Sequence, residues 1–533
     1  MRPSPRPPTR LRPWRWRSFP KFVVIRFTPS SQPLRPRTAR RGRGDDGDGS
    51  SGWRDKLFEG AATAFGSVVM LGMIGFAYEQ CYKFMVLQKM DKAFATGYSS
   101  PEMAALLRHV SIGPEGETSE EESWIPRAEQ PLIDRIVDGS EQGFYYLITG
   151  EKGTGKTSMI LNAMRRIQGE GIAMLEASGD LEVFRLRLGK ALNYEFHEDY
   201  IGSLFSYRGP RDTTPLLDIE RSFNKMEKIA LNRRLKNGKP LLLIINRAHL
   251  LHDDEEGKNL LEAVQQRAEL WAASKLVTVI FLSDEYWIEE RLRPSATRMR
   301  VLPIHDIPPL AVIESLRDFR ARNFNEDVPY KDLVQVYNKI GGRPSFLGNV
   351  ATVKNMLKAC DDIVAKEKRW FLDQCWILGG DIDDHAEDHQ DFSTAAMLLA
   401  KALVEKEKTM AKDGDDTPTA LPAIPLHEVR QLMTRPDLIK GHDHLNIFSI
   451  DSECMVRADS MAMQNVFRQI CAQEGFEELL QDTLDRLDEL ESLGRTRELA
   501  FKQLAKHGKL EAITIASSDA ESKAAVAHKA RET

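Results

Sequence analysis

The segment Gly150–Thr157 (GEKGTGKT) constrains the fold more than any other part of this chain, because it matches the pattern G-x-x-x-x-G-K-[ST] at every fixed position. The apolar residues 144–148 before it predict a strand, and residues 158–167 after it predict a helix. Glycines let the backbone turn so tightly that several N–H groups point at phosphate oxygens, and the start of a helix adds partial positive charge. The segment therefore predicts a phosphate-binding loop (P-loop) in an α/β domain with a parallel sheet.

The P-loop predicts that a nucleotide and a metal ion bind at this site. We expect ATP and Mg²⁺ as cofactors, with Lys156 reaching the β- and γ-phosphates and the Thr157 hydroxyl binding the metal. Lys156 is also a candidate catalytic residue. The predicted nucleotide-binding residues are the loop itself and the residue after it: Gly150, Glu151, Lys152, Gly153, Thr154, Gly155, Lys156, Thr157 and Ser158.

A second predicted strand, residues 240–245, ends at an unusual site. P-loop ATPases place an acidic residue there to hold the Mg²⁺ shell, whereas this chain has Asn246 followed by Arg247. Asn246 remains a candidate catalytic and metal-binding residue, but it brings no charge, and Arg247 cannot accept a proton because a guanidinium stays protonated in proteins. Two interpretations stay open: either hydrolysis is lost while binding is kept, or a carboxylate comes from the acidic turn Asp253–Glu256.

The strand predicted at residues 276–282 ends at Ser283, a further candidate catalytic residue. A polar side chain there can sense the γ-phosphate. It can equally cap the end of its own strand, and the sequence leaves both roles open.

Strands alternate with helices up to residue 308, and the pattern is helical from Pro309 onward, with helices expected at 310–323, 330–340 and 346–367. After a polar linker at 379–391, two helices, two short strands and a helix approximate a winged helix over 392–475. We expect a C-terminal helix at 476–506 and disorder at 507–533.

The N-terminus differs from the rest of the chain. Residues 1–44 contain 12 Arg and 1 Lys but no Asp or Glu, which is typical of a mitochondrial transit peptide or of a disordered basic tail over 1–50. The uncharged run Gly60–Tyr78 is long enough to cross a bilayer, so we expect a transmembrane helix at 57–80 and then a linker at 88–123. These features predict a single-pass protein of the mitochondrial inner membrane.

Charge argues against a nucleic acid as the partner. The net charge is −5, and the second helix of the predicted winged helix offers only His427 and Arg430 as cationic or switchable groups. An unidentified protein partner is therefore favoured.

Several segments together resemble the AAA+ and STAND P-loop ATPases, close to their archaeal-ATPase-like branch. They are the P-loop, the strand ends LLLIINRAH (241–249) and FLSDE (281–285), the lid motif GGRPSFL (341–347) and residues 124–127 (WIPR). The resemblance implies a core at 124–308 and a helical lid at 309–378. Within that lid it places Pro344 near the base and Arg343 as a second, catalytic sensor of the phosphates.

The whole arrangement is similar to fungal AAA proteins that have a mitochondrial N-terminus, one membrane span and a C-terminal winged helix. It implies nucleotide-dependent remodelling or switching of a protein partner. Asn246 and Arg247 leave a hydrolysis-deficient scaffold as the alternative, a nucleic-acid-binding regulator is a second alternative, and the resemblance leaves a homo-oligomer open.

Overall fold

The computed structural model describes residues 52–97, 125, 127–196, 214–377, 387–412, 421–433, 435 and 437–506. The predicted transit peptide and the predicted disordered tail at 507–533 lie outside the described residues. The chain divides into two compact units, Met1–Met73 and Ile74–Thr533.

Helix α1 (Gly52–Ala93) contains the predicted transmembrane segment 57–80. Within the first unit its large apolar side chains are exposed, among them Phe65, Met70 and Leu71. Within Thr63–Ala93 an 18-residue window has a mean hydropathy of 1.2, and among the described residues this is the one helix long and apolar enough to cross a membrane.

The linker predicted at 88–123 is wrong at its start. Helix α1 continues to Ala93, and Met90, Ala93 and Phe94 are buried in the core of the second unit. Asp91 Oδ1 accepts a hydrogen bond from Arg233 Nε at 2.5 Å. The charged residues in this segment made it resemble a linker. The apolar residues between them, however, are spaced so that they share one face of a helix. Residues 98–123 lie outside the described residues.

A five-stranded parallel sheet forms the centre of the second unit, so the predicted α/β class is confirmed. Its spatial order is β2-β3-β4-β1-β5. The strands are β1 (Tyr145–Thr149), β2 (Ile172–Glu176), β3 (Leu241–Asn246), β4 (Val277–Leu282) and β5 (Met299–Pro303). Strand β1 lies between β4 and β5, so the P-loop follows an interior strand, on the side of the sheet where the carboxyl ends of all five strands meet.

Helices cover both faces of this sheet. Because side chains alternate along a strand, Leu241, Leu243 and Ile245 of β3 pack into one core while Leu242 and Ile244 pack into the other. The covering helices are α2 (Gln130–Val137), α3 (Lys156–Arg166), α4 (Leu181–Ala191), α5 (Pro215–Asn237), α6 (Glu255–Ser274) and α7 (Trp287–Leu292).

Four helices form the lid. They are α8 (Pro309–Phe324), α9 (Tyr330–Ile340), α10 (Pro344–Thr352) and α11 (Met356–Gln374). The single helix predicted at 346–367 is therefore wrong. Val353 leaves the helical conformation, and the Asn355 side chain accepts a hydrogen bond from the Lys358 N–H at 3.1 Å, which starts the next helix.

The predicted winged helix is confirmed as a fold, with more elements than the sequence indicated. It contains α12 (Glu387–Lys412), α13 (Leu426–Leu432), α14 (Ile439–His444), α15 (Met461–Cys471) and a three-stranded antiparallel sheet. The strands are β6 (Ala423–Pro425), β7 (Phe448–Ile450) and β8 (Met455–Ala458), and β8 lies in the middle. Helix α12 begins at Glu387, so residues 387–391 are helical and the linker predicted at 379–391 is shorter. Helix α16 (Phe476–Lys506) follows.

Candidate nucleotide site

The P-loop needs its glycines for steric reasons. Gly150, Gly153 and Gly155 have φ of 149°, 87° and 95°, which side chains rarely tolerate. A Cβ on Gly150 would lie 2.3 Å from the Ile304 carbonyl oxygen. Only this sequence type allows the loop to curl between β1 and α3 with its N–H groups turned inward.

Lys156 is folded against its own loop. Its side chain is 5% exposed, and Nζ donates to the carbonyl oxygens of Gly150 at 2.7 Å and Glu151 at 2.8 Å. The same Nζ lies 2.7 Å from Asp284 Oδ1, which follows β4. The P-loop lysine therefore sits in a polar cage of two carbonyls and one carboxylate, which competing phosphate oxygens would have to displace.

Thr157 and Asn246, the two candidate metal-binding residues, lie together. The Thr157 hydroxyl donates to Asn246 Oδ1 at 3.1 Å. Both are oxygen ligands of the kind Mg²⁺ accepts, so the pair fits a hydrated Mg²⁺ beside the phosphates. When bound, the ion would neutralise charge on the β- and γ-phosphates.

Arg247 is turned toward the neighbouring strand end. Its backbone is left-handed, with φ 52°, and its guanidinium NH1 lies 2.7 Å from Glu176 Oε1 at the end of β2. The position after Asn246 therefore supplies no proton acceptor.

The acidic turn does not supply the missing carboxylate. Asp253 pairs with Lys258 at 3.2 Å, and Asp254 accepts the Gly257 N–H at 2.7 Å as the N-cap of α6. In the described part of the chain, none of Asp253–Glu256 lines the phosphate cavity.

The carboxylate beside Lys156 is Asp284, which sequence reasoning missed. Asp284 is the fourth residue of FLSDE (281–285) and follows directly after Ser283, the predicted catalytic residue. Ser283 itself is buried, donates to the Glu285 carbonyl at 2.9 Å and accepts the Glu285 N–H at 3.2 Å, which is the strand-capping alternative.

Two cavities meet at the P-loop. The phosphate cavity, about 650 Å³, is lined by polar groups that include Lys152, Lys156, Thr157, Asn246 and Asp284. The adjoining cavity, about 540 Å³, lies between the P-loop, α8 and α10 and is suited by size and apolarity to a nucleoside. Its lining includes Ile125, Arg127, Met159, Phe319 and Leu347. Gly155, Ser158 and Pro344 line both cavities.

The lid joins the core through a close backbone contact. The Ile307 N–H donates to the Gly342 carbonyl at 3.0 Å, and a Cβ on Gly342 would lie 1.8 Å from the Ile307 carbonyl oxygen. The Ser345 N–H donates to the Gly153 carbonyl at 3.3 Å, which attaches α10 directly to the P-loop.

Arg343 does not face the nucleotide cavities. Its guanidinium is 2% exposed and is enclosed by Asp306 of the core, at 3.3 Å from Nε, and by Asp459 after β8. Despite burial, these carboxylates raise the pKa of Arg343. The described structure thus places this predicted sensor in a junction between core, lid and winged helix, and it lines neither cavity.

Glu151 connects the P-loop to the winged helix. Its side chain is 4% exposed, and Oε1 accepts hydrogen bonds from Ser449 Oγ of β7 and from Arg457 Nε of β8, both at 3.1 Å. Although burial opposes its charge, Arg457 and Arg343 hold the pKa of Glu151 below its ordinary value. We call the three-residue set of Glu151, Ser449 and Arg457 the wing contact.

Comparison with known proteins finds two domain families. Residues 129–280 match the AAA ATPase domain, and residues 373–491 match the C-terminal winged helix domain of fungal AAA proteins. No curated protein matches the chain.

Solved structures align over most of the chain at low identity. A Walker-type ATPase of Pyrococcus abyssi is 12% identical, covers 67% of this chain and 99% of its own, and has a TM-score of 0.43. The ORC1 protein of Aeropyrum pernix, in complex with DNA, is 13% identical over 65% of this chain and 94% of its own, with a TM-score of 0.29. AMPPCP-bound DnaA from Aquifex aeolicus is 11% identical over 69% and 96%, with a TM-score of 0.29.

Proposed function

Because the chain carries an AAA ATPase domain followed by the C-terminal winged helix domain of fungal AAA proteins, we propose that it is a membrane-anchored, ATP-binding switch that acts on a protein partner. The observation that carries this proposal is the wing contact. Glu151, the residue next to the first P-loop glycine, accepts hydrogen bonds from Ser449 of β7 and Arg457 of β8, the two strands that form the wing.

Nucleotide binding acts on this contact through the backbone. Lys156 donates to the carbonyl oxygens of Gly150 and Glu151, and its movement to the phosphates would release both. The same peptide units position the Glu151 side chain. A ligand shifts a two-state equilibrium only through differential contacts, and here the bonds of Lys156 are those contacts.

Further bonds join the same two domains. The Tyr286 N–H, after β4, donates to Asp443 Oδ2 at 2.9 Å, and Glu285 Oε1 lies 3.0 Å from His444 Nδ1. The winged helix thus contacts the P-loop and the end of β4, two of the segments that line the phosphate cavity.

A protein partner suits the surface better than a nucleic acid. Arg457, the cation of the wing, is largely buried on Glu151 and is not available for phosphate neutralisation. The exposed basic side chains of helix α13 are Arg430 and His427, which is little positive charge for binding a nucleic acid.

The test is hydrogen exchange of the wing amides, residues 448–458, in the full chain. With ATP we expect exchange to rise several-fold, because the wing contact weakens. Arg457→Gln should remove the ATP dependence while ATP still binds, and the exposed control Arg430→Gln should behave as the wild type. An equal ATP response in Arg457→Gln, or no response in the wild type, would contradict the proposal.

The second candidate is a scaffold that binds ATP without hydrolysing it. Asn246 and Arg247, which bring no acid or base to the end of β3, favour it. In that case Asn246→Asp with Arg247→Glu should create ATP turnover that the wild type lacks. Equal turnover in both proteins would exclude the scaffold.

We further propose that the protein resides in the mitochondrial inner membrane. The Arg-rich, acid-free N-terminus and the exposed apolar face of α1 support this location. Resistance to alkaline extraction, combined with protease protection in intact but not ruptured mitochondria, tests it. Recovery in the soluble matrix fraction would contradict it.

A further inference from the structure

Two acidic residues line the phosphate cavity even though β3 lacks its acid: Asp284, which lies beside Lys156, and Glu285, whose Oε1 lies 3.0 Å from His444 Nδ1. Strand β4 lies between β3 and β1, so the turn that follows β4 comes next to both the P-loop and Asn246. Asp284, the second residue of that turn, lines the phosphate cavity with Lys156, Thr157 and Asn246.

Asp284 lies beside the P-loop lysine in the phosphate cavity. Its Oδ1 is 2.7 Å from Lys156 Nζ, the group that the P-loop directs to the β- and γ-phosphates. Its side chain is 22% exposed, so it remains accessible from the cavity. Thr157 and Asn246 pair with each other instead, on the side suited to the metal.

His249 holds Asp284 in place. The Asp284 N–H donates to His249 Nδ1 at 3.2 Å, so the proton of the neutral ring is on Nε2, which lies 3.9 Å from Asp284 Oδ2. Burial lowers the pKa of His249 against the opposing charge of Asp284, and Lys156 and Arg247 add to the lowering. Since its Nδ1 already accepts the Asp284 N–H, His249 serves as a positioning residue.

We propose that Asp284, positioned by His249, accepts the proton of the water that attacks the γ-phosphate of ATP and so replaces the base missing after β3. The proposal rests on the ATP-binding function proposed above and adds hydrolysis to it. The water oxygen bonds to the γ-phosphorus while the bond to the bridging oxygen of the departing ADP breaks. The water proton passes to the Asp284 carboxylate and then to solvent.

Two roles of Asp284, proton acceptor and metal ligand, differ in their effect on binding. As a proton acceptor beside Lys156, Asp284 repels the incoming phosphates and competes for the lysine, so Asp284→Asn should tighten ATP binding. As a metal ligand, its loss would weaken binding of Mg-ATP relative to ATP in EDTA.

The test uses the full chain in detergent. In Asp284→Asn we expect kcat for ATP to fall by roughly 100-fold or more, the usual worth of a general base, while a fluorescent ATP analogue binds more tightly. Asp253→Asn is the matched control, because that carboxylate lies on the acidic turn and pairs with Lys258. It should leave both measurements unchanged.

His249 needs a readout that a merely structural role would not move. His249→Ala should lower kcat with little change in KM. His249→Asn keeps an acceptor for the Asp284 N–H and should restore much of the rate.

The possible contrary results distinguish failure of the proposed role of Asp284 from failure of the proposed ATP-binding switch. An unchanged kcat in Asp284→Asn overturns the role of Asp284 as proton acceptor. So does a variant that binds Mg-ATP more weakly while its binding of ATP in EDTA is unchanged. A wild type that binds ATP but never hydrolyses it also overturns that role and leaves the switch standing. Failure to bind ATP overturns both.

Discussion

The carboxyl group of Asp443 lies where the winged helix meets the end of β4. It accepts the Tyr286 N–H at 2.9 Å, and burial, with Glu285 and Asp459 nearby, raises its pKa to about 8. A protonated carboxyl keeps that acceptor bond without a buried charge. The junction is thus built around a neutral acid.

This acid gives stability a definite pH dependence. An unfolded Asp ionises near pH 3.9, so between about pH 4 and 8 the folded chain holds a proton that the unfolded chain has lost. Stability should therefore fall as pH rises through this window, by at most about 1.4 kcal/mol per pH unit for one proton. Asp443→Asn should flatten the slope of the melting temperature between pH 5 and 8, whereas the exposed control Asp437→Asn should not. A slope that persists unchanged in Asp443→Asn would contradict the assignment.

At the residue scale, the sequence predicted the groups whose spacing along the chain sets their position. Lys156, Thr157 and Asn246 fall on one sheet edge because parallel strands end there. Ser283 was predicted as a catalytic residue and Asp284 was not. The conformation of the turn after β4 decides which of the two side chains enters the phosphate cavity, and the order of residues does not reveal it. The position of the Arg343 side chain depends on its ion pairs with Asp306 and Asp459. Both acids are distant in sequence, so no local sequence pattern predicts these pairs.

Among the elements, the lid depends on one glycine. Gly342→Ala would place a Cβ 1.8 Å from the Ile307 carbonyl oxygen and push the lid away from the core. We expect destabilisation of roughly 1–3 kcal/mol, as for other overpacked sites, together with weaker ATP binding. Thermal unfolding and titration with a fluorescent ATP analogue would measure both.

Gly348, in the same lid, is the matched control for Gly342. It lies inside α10, and beyond the backbone of that helix no described atom comes within 4 Å of the place a Cβ would occupy. Gly348→Ala should therefore stabilise the helix by about 0.5–1 kcal/mol. If both alanine variants shift the melting temperature in the same direction, the close contact at Gly342 is not what holds the lid.

Element prediction succeeded where the signal was long and periodic. The apolar runs of β3 and β4 are fully buried strands, as their composition indicated. Strand β6, three residues long, carries too little pattern to stand out, and it forms only because β8 offers a paired edge. The stop at Val353 was hidden because apolar periodicity continues across it.

For the molecule as a whole, the apolar part of α1 is the proposed anchor. Leu71 is 60% exposed among other apolar side chains. Leu71→Arg would put a charge near the bilayer centre, at a cost of about 2.5–3.5 kcal/mol. We expect the variant to be released by alkaline extraction from membranes that retain the wild type. Leu235→Arg, on the exposed surface of α5, is the control that should stay bound.

The order of the domains was predictable, but their docking was not. Strand, loop and helix signals lie within short windows, so the AAA core, lid and winged helix each left a local pattern. The wing contact joins residues far apart in sequence, and its glutamate occupies a position that the P-loop pattern leaves free.

That separation affects how the chain matures. Residues 151 and 457 are 306 positions apart, so a ribosome completes the whole ATPase domain well before the arginine that neutralises its buried glutamate exists. A nascent chain with its ATPase domain already folded would carry Glu151 unpaired, in a form that differs from the finished protein at the loop that receives nucleotide. A chain truncated ahead of β8 would keep the whole ATPase domain but lose Arg457, so Glu151 beside the P-loop would lack the arginine that the winged helix supplies.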